Sequence, residues 1–517
     1  MATLLISEGA AYGITYGVLV LCAIVACLAM PFIYKGLTKE GQDFWYSARG
    51  SQGWISLGLS YFASSMGAWV IFAAPEVGIL SGWWGLLGYA LASSVPYLVL
   101  CILGPLVRRR FEDGFCLSDW VLERFGRVMQ VYVAIVSVFY MWIYLVAELT
   151  SMGNLVRDFA GLNPLAALVP LSLVTMCYTI AAGLPASIWT DRLQGVAMVI
   201  IIVVVMIPIF SDLSIREENW HQASFWNDKG FESLVTLILA ILGAALFDMG
   251  AWQRVYAAKD DGQLRKGLIF GAILIFWVMF LFGLSGMLAE AQDLGRNPPT
   301  LTIKALAFFD LLQSQARWVP TFAYALATCM VASSVDSLQT GILSVVSQAI
   351  MERDMSPAKR MGLGQLFVLS VNIPAIILAS EATKDPELGF NIINLFLIAD
   401  LLTLSITVPV FLGLHPFVTQ RGALFGCVCG LLFIMGFGWL EFGTFVAGME
   451  MFTLMAFGNT KPPEFGLTAS RTCIIFFMLP IVTGAGALIV SWMERVWEKL
   501  NVVQQQETQD AGKNARV

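Results

Sequence analysis

Apolar runs long enough to cross a bilayer recur from residue 12 to residue 495, with no soluble-sized block between them. Inside hydrocarbon every backbone N–H and C=O must be satisfied internally, so a chain of this kind is built of helices or a closed barrel. A helix needs about 20 apolar residues to cross, about twice what a barrel strand needs. Thirteen candidates of helix length run over about 12–34, 54–80, 83–106, 128–156, 164–183, 187–211, 233–255, 266–290, 318–349, 364–381, 388–414, 422–440 and 471–495. The expected fold class is an all-α polytopic membrane protein.

Composition supports this. Only 13% of the 517 residues are charged and 58% are hydrophobic, against about 25% charged in a soluble domain. That excludes a soluble enzyme and a disordered hub. A net charge of −6 argues against nucleic-acid binding, which needs a basic face. Most of the nine cysteines lie inside apolar runs and read as small packing residues. The Cys427-Val-Cys429 spacing suits no standard zinc site. Tyr12–Tyr34 is too long for the apolar region of a cleavable signal and lacks a basic segment before it.

An odd number of spans puts the termini on opposite sides. With the N-terminus outside, 21 Lys and Arg residues fall in inner segments, Arg254 among them, and 9 in outer ones. This bias fits a cytoplasmic C-terminus. The Gln-rich stretch after Trp497 is expected to be disordered. Loops 212–232, 291–317 and 441–470 read as caps over an outer vestibule or as ordinary interfacial loops.

Ionisable groups inside spans are costly and point to function. Six stand out: Glu76, Glu148, Asp191, Asp248, Asp336 and Asp400. Asp191 and Asp248 lie near span ends, where a carboxylate also caps a helix. In the second span Ala63-Ser64-Ser65-Met66-Gly67-Ala68-Trp69 weakens the helix. An unwound turn there exposes carbonyls that suit a small cation; the alternative is a close helix contact through small residues. At 318–349, Ser333, Asp336, Ser337 and Thr340 fall at i, i+3, i+4 and i+7 and share a face. Such a stripe suits a hard cation or a polar solute, so Asp336 is expected to point into the cavity. Met66-Gly67-Ala68-Trp69 recurs as Met249-Gly250-Ala251-Trp252 five spans later. An odd offset between equivalent helices implies two inverted repeats, with the binding site at their interrupted helices.

These residues resemble the sodium:solute symporter family, from about Asp43 to about Asp400. Asp43-Phe44-Trp45-Tyr46-Ser47-Ala48-Arg49-Gly50 is similar to the segment before the family's first core helix, and Ala63-Ser64-Ser65-Met66 to the unwound turn of that helix in proline symporters. Tyr178-Thr179-Ile180-Ala181-Ala182-Gly183 with Ala186-Ser187-Ile188-Trp189-Thr190-Asp191 resembles its Gly-rich turn and Trp-Thr-Asp helix start. The resemblance implies a LeuT-like 5+5 inverted-repeat core with about 13 transmembrane helices. The implied division is 1–53 for an extra helix and loop, 54–414 for the core, 415–495 for two further helices and 496–517 for a tail. It implies sodium (Na+) as coupling ion, held by the carbonyls of Ala63, Met66 and Met330 and the hydroxyls of Ser333 and Ser334, with Asp191 as electrostatic partner.

The chain departs from proline symporters at Ser65, where they carry an aspartate, and at Asp336, where they carry a hydroxyl. Ala245 stands where they have gate aromatics, and Phe247-Asp248-Met249-Gly250-Ala251-Trp252-Gln253 is instead similar to urea and polyamine symporters. The expected function is sodium-coupled symport of a small polar solute by alternating access. Urea/polyamine-type symport coupled to protons, or proline-like symport, stay open. A membrane sensor, a channel and an enzyme are weaker: the chain ends about 20 residues after its last span, and has no selectivity-filter repeat, arginine ladder or cofactor motif. Candidate solute contacts are Ser65, Gly67, Trp69, Glu148, Asp248, Trp252 and Asp336. Expected partners are the solute and the lipid bilayer, with no nucleic acid.

Overall fold

The computed structural model describes residues 5–40, 42–112, 114–213, 215–296, 299–301, 303–350, 356–384, 392–455 and 465–514. In chain order its first helices are α1 (Glu8–Glu40), α2 (Gln42–Ser47), α3 (Trp54–Ser65), α4 (Trp69–Arg110), α5 (Leu117–Phe125), α6 (Arg127–Ala160) and α7 (Leu165–Ser211). Then come α8 (Glu217–Ala223), α9 (Asp228–Ala245), α10 (Met249–Ala257), α11 (Asp261–Asp293), α12 (Ala307–Gln313) and α13 (Trp318–Val345). The last are α14 (Pro357–Lys384), α15 (Ile392–Leu412), α16 (Gln420–Phe442), α17 (Phe445–Glu450) and α18 (Ser470–Asn514).

Among the described residues, ten helices are long and apolar enough to cross a membrane, or eleven if the bent pair α9 and α10 forms one span. The count of thirteen follows only if α4 with 42 residues and α7 with 47 each cross twice. At about 1.5 Å per residue either is roughly twice the hydrocarbon thickness. Each contains one glycine in a non-helical, positive-φ conformation, Gly82 (φ 57°) in α4 and Gly183 (φ 62°) in α7. Only glycine takes that conformation without steric cost. At Gly183 an added Cβ would also lie 2.3 Å from the Trp45 carbonyl oxygen. Gly183→Ala is therefore expected to cost about 1–3 kcal/mol, read as a lower thermal midpoint in detergent; an unchanged midpoint would refute a fixed corner at this residue.

The second span breaks where its small polar residues stand. The Ser64 and Ser65 hydroxyls donate back to the carbonyls of Tyr61 (3.3 Å) and Phe62 (3.0 Å), competing with the helix ladder. α3 stops at Ser65 and α4 restarts at Trp69. The other copy of the four-residue echo marks a second break. α9 ends at Ala245, α10 starts at Met249, and their axes differ by 59°. Asp248 caps the restart, accepting the Gly250 N–H at 2.9 Å. With α4 and α7 each crossing twice, the two interrupted helices would stand five spans apart.

α18 runs to Asn514, through the Gln-rich stretch after Trp497. Gln, Glu and Lys are good helix formers, so a polar stretch prolongs a helix already nucleated in the apolar segment. Loop 291–317 packs inward: Phe309 of α12 lies 4.9 Å from the Phe72 ring and 5.0 Å from Phe159. Part of loop 441–470, residues 456–464, lies outside the described residues.

Candidate functional site

Two polar assemblies meet at the breaks. The first is a buried ionic cluster joining α3, α7, α10 and α13. Asp191 accepts the Ser333 hydroxyl at 2.7 Å through Oδ1, and through Oδ2 the Ser60 hydroxyl at 2.5 Å and the Arg254 guanidinium at 2.8 Å. Arg254 also donates to the Ser60 hydroxyl (2.7 Å), the Gly250 carbonyl (2.9 Å) and the Ser337 hydroxyl (2.8 Å). The pair is sealed, with side chains 1% and 0% exposed. Ser337 then donates to Asp336 at 3.1 Å. A desolvated charge needs such partners. Arg254, counted above among the inner-loop cations, is thus a core residue, because α10 carries it back into the polar face of α13.

Asp336 is corrected too. Its carboxylate accepts Tyr178 at 2.6 Å and Ser187 at 2.9 Å, with the Thr190 hydroxyl at 3.2 Å. All three are on α7, and Asp336 does not line the central cavity. Successive helical residues turn by about 100°, so Asp336 points some 160° away from Ser334, which does line it.

The second assembly is that cavity, lined from α3, α4, α6, α9, α13, α15 and the α10 cap. The α4 break contributes Ser65, Met66 and Trp69, and the α10 cap contributes Asp248. Tyr89, Ser93 and Tyr97 line it from α4, Tyr140, Tyr144 and Glu148 from α6, and Phe396 and Asp400 from α15. Each trio repeats every four residues and so faces one way. Tyr144 donates to Asp400 at 3.0 Å. Glu148 is 2% exposed, rests against the Ala68 N–H and Ser334 hydroxyl, and its Oε2 has no hydrogen-bond partner. Three carboxylates and no basic side chain line the cavity among the described residues.

Of the expected solute contacts, Ser65, Trp69, Glu148 and Asp248 reach this cavity. Gly67 does not line it; a Cβ there would sit 1.5 Å from Glu148 Oε1, so its missing side chain makes room for Glu148. Trp252 is buried behind the second break, donating to the Leu246 carbonyl at 2.8 Å. Of the expected sodium ligands, Met66 and Ser334 face the cavity, Ser333 is engaged with Asp191, and the Met330 carbonyl accepts Ser334 at 3.1 Å. Ala63 lies in the last turn of α3, where carbonyls leave the intrahelical ladder. Asp400 was noted as an intramembrane carboxylate but not as a site residue; its pairing with Tyr144 across 256 residues has no local signal. Glu76 is only half-buried and does not line the cavity.

Interrupted helices facing one polar cavity between two halves of a helical membrane protein are the architecture of a secondary transporter. A family model described as sodium:solute symporter family matches residues 45–430, and the chain belongs to the sodium:solute symporter family. It is an integral membrane transporter, not an enzyme. A spermidine transporter of Candida albicans is 28% identical over 385 residues, covering 73% of this chain and 70% of the relative. A sodium/sialic acid symporter of Proteus mirabilis is 22% identical, covering 70% and 76%. Among solved structures, a substrate-bound, outward-open Na+-coupled sialic acid symporter superposes with a TM-score of 0.67 at 16% identity, covering 91% of this chain and 98% of the other. The fold is the LeuT-like one.

Proposed function

We propose that this chain is a sodium-coupled symporter for a small organic solute that carries positive charge. The observation behind the solute charge is the cavity lining, with Glu148, Asp248 and Asp400 and no Lys, Arg or His among the described residues. Three carboxylates in a membrane-buried chamber favour a cation and oppose an anion such as sialic acid. The similarity to a spermidine transporter agrees with that sign. Sodium sits between the α3–α4 break and α13, where carbonyls and hydroxyls of Ala63, Met66, Met330, Ser333 and Ser334 supply the oxygen donors a hard cation prefers. Binding there holds the broken helix against α13, and coupling follows from its differential affinity for the two states.

In this reading the core covers 54–414, α4 and α7 each cross twice, and α1, α16 and α18 lie outside the repeats. The N-terminus is outside and the C-terminus in the cytoplasm, at the plasma membrane. A tag after Val517 is then reached only from the cytoplasm and a cysteine reporter near residue 220 only from outside; labelling of both from one side rejects this topology. Proton coupling is the second reading, favoured by the unpartnered Oε2 of Glu148.

Uptake into proteoliposomes separates the two. A sodium gradient drives uptake in the first reading, and a pH gradient alone in the second. Replacing Ser333 and Ser334 together by Ala removes two ligand hydroxyls and is expected to raise the half-saturating sodium concentration at least tenfold. The protein should still elute as a single folded species. An unchanged sodium dependence would reject the site.

A further inference from the structure

The carboxylates of the central cavity are not clustered at one point. Tyr140, Tyr144 and Glu148 follow one another at four-residue steps on the cavity face of α6, a rise of about 6 Å per step. Three carboxylates line the chamber along this face. Asp248, at the cap of α10, lines the same chamber as Tyr140 and Tyr97. Asp400 accepts the Tyr144 hydroxyl at 3.0 Å and shares the chamber wall with Tyr89. Glu148 forms the third step at the α4 break, with a buried oxygen that has no partner. The walls between the steps are aromatic. Tyr140 and Tyr144 rings lie 4.4 Å apart, Tyr144 and Phe396 4.4 Å, and Phe396 and Trp69 5.1 Å.

We infer that this chamber binds a linear polyamine lengthwise, with one ammonium group at each of Asp248, Asp400 and Glu148 and the methylene segments against the aromatic rings. The inference rests on the proposed transport of a cationic solute and specifies its shape and placement. An extended four-methylene linker sets two ammonium nitrogens about 6 Å apart, matching the rise of four helical residues. Three carboxylates in a desolvated chamber are costly unless each meets a cation or a proton. A triamine neutralises all three, whereas a monoamine leaves two uncompensated. Aromatic faces attract ammonium groups and accept methylenes, so the walls add affinity without demanding a further polar group. Glu148 also touches Ser334, so an ammonium group at that step lies next to the proposed sodium site.

The test uses the full chain in proteoliposomes under a sodium gradient, with 1-aminobutane, 1,4-diaminobutane and spermidine as probes. Spermidine is expected to half-saturate transport at a concentration at least 30-fold below that of 1-aminobutane, with the diamine between them. Asp400→Asn and Glu148→Gln should each erase most of the spermidine advantage while changing 1-aminobutane far less. Tyr144→Phe, which keeps the ring and removes only the hydroxyl on Asp400, covers the case in which an acid variant fails to fold. It is expected to weaken spermidine by several-fold. Equal half-saturation by all three amines would overturn the lengthwise placement and leave a cation transporter standing. Uptake of a neutral solute with no response to any amine would overturn both.

Discussion

Arg254→Met is expected to lower stability by about 3–5 kcal/mol, the usual cost of stranding one partner of a buried ion pair. The guanidinium donates to Ser60, Asp191, Gly250 and Ser337. It is the one basic group in a cluster that also holds Asp191 and Asp336 among the described residues. Its removal leaves Asp191 ionised in a sealed site, or forces it to take a proton. A thermal-unfolding midpoint in detergent reads the effect, with sodium-driven uptake as a second readout. Pairing Arg254→Met with Asp191→Asn removes both charges and is expected to recover most of the midpoint. Uptake should stay low, because the pair joins both broken helices to α7 and α13. Arg254→Lys is not a rescue, since an ammonium point charge cannot reach four acceptors on separate elements. A single variant with a wild-type midpoint would show that the cluster does not need the guanidinium.

The breaks in both interrupted helices were legible because their causes are local. Serines that bond back to their own helix lie at the first break, and a glycine and one copy of the four-residue echo lie at each. The glycine corners were legible as gaps between candidate spans, at 81–82 and 184–186, and the positive φ of Gly82 and Gly183 shows which residues turn the chain. The ionic cluster was half legible. Asp191 stood out as an intramembrane acid, but Arg254 flanks Lys259, Arg265 and Lys266 and reads as part of a cytoplasmic charge cluster. Its partner is 63 positions away, and only the bend at Asp248 folds it inward. The cavity acids were seen one by one. That Glu148, Asp248 and Asp400 share a chamber depends on α6, α10 and α15 converging, which no periodicity within one helix encodes.

The direction of Asp336 is the clearest failure of periodic reasoning, and it changes what its substitution should do. Ser333, Asp336 and Ser337 do share one broad side of α13, but that side faces α7 and α10, and the cavity takes Ser334 and Leu338. Were Asp336 in the cavity, as its helical spacing suggests, Asp336→Asn would abolish coupled transport by removing a charge from the binding site. The structure gives another outcome. Four hydroxyls surround the two carboxylate oxygens, from Tyr178, Ser187, Thr190 and Ser337. An amide keeps one acceptor oxygen and turns an NH2 toward two hydroxyls. At least one buried donor loses its acceptor, at about 1–3 kcal/mol. Asp336→Asn should therefore lower the thermal midpoint and the yield of folded protein. Uptake per folded molecule should stay within about twofold of wild type, with the same sodium dependence. Asp336→Ala, which adds a void, should lower the midpoint further. A wild-type midpoint combined with lost uptake would contradict this and return the carboxylate to the ion or solute path.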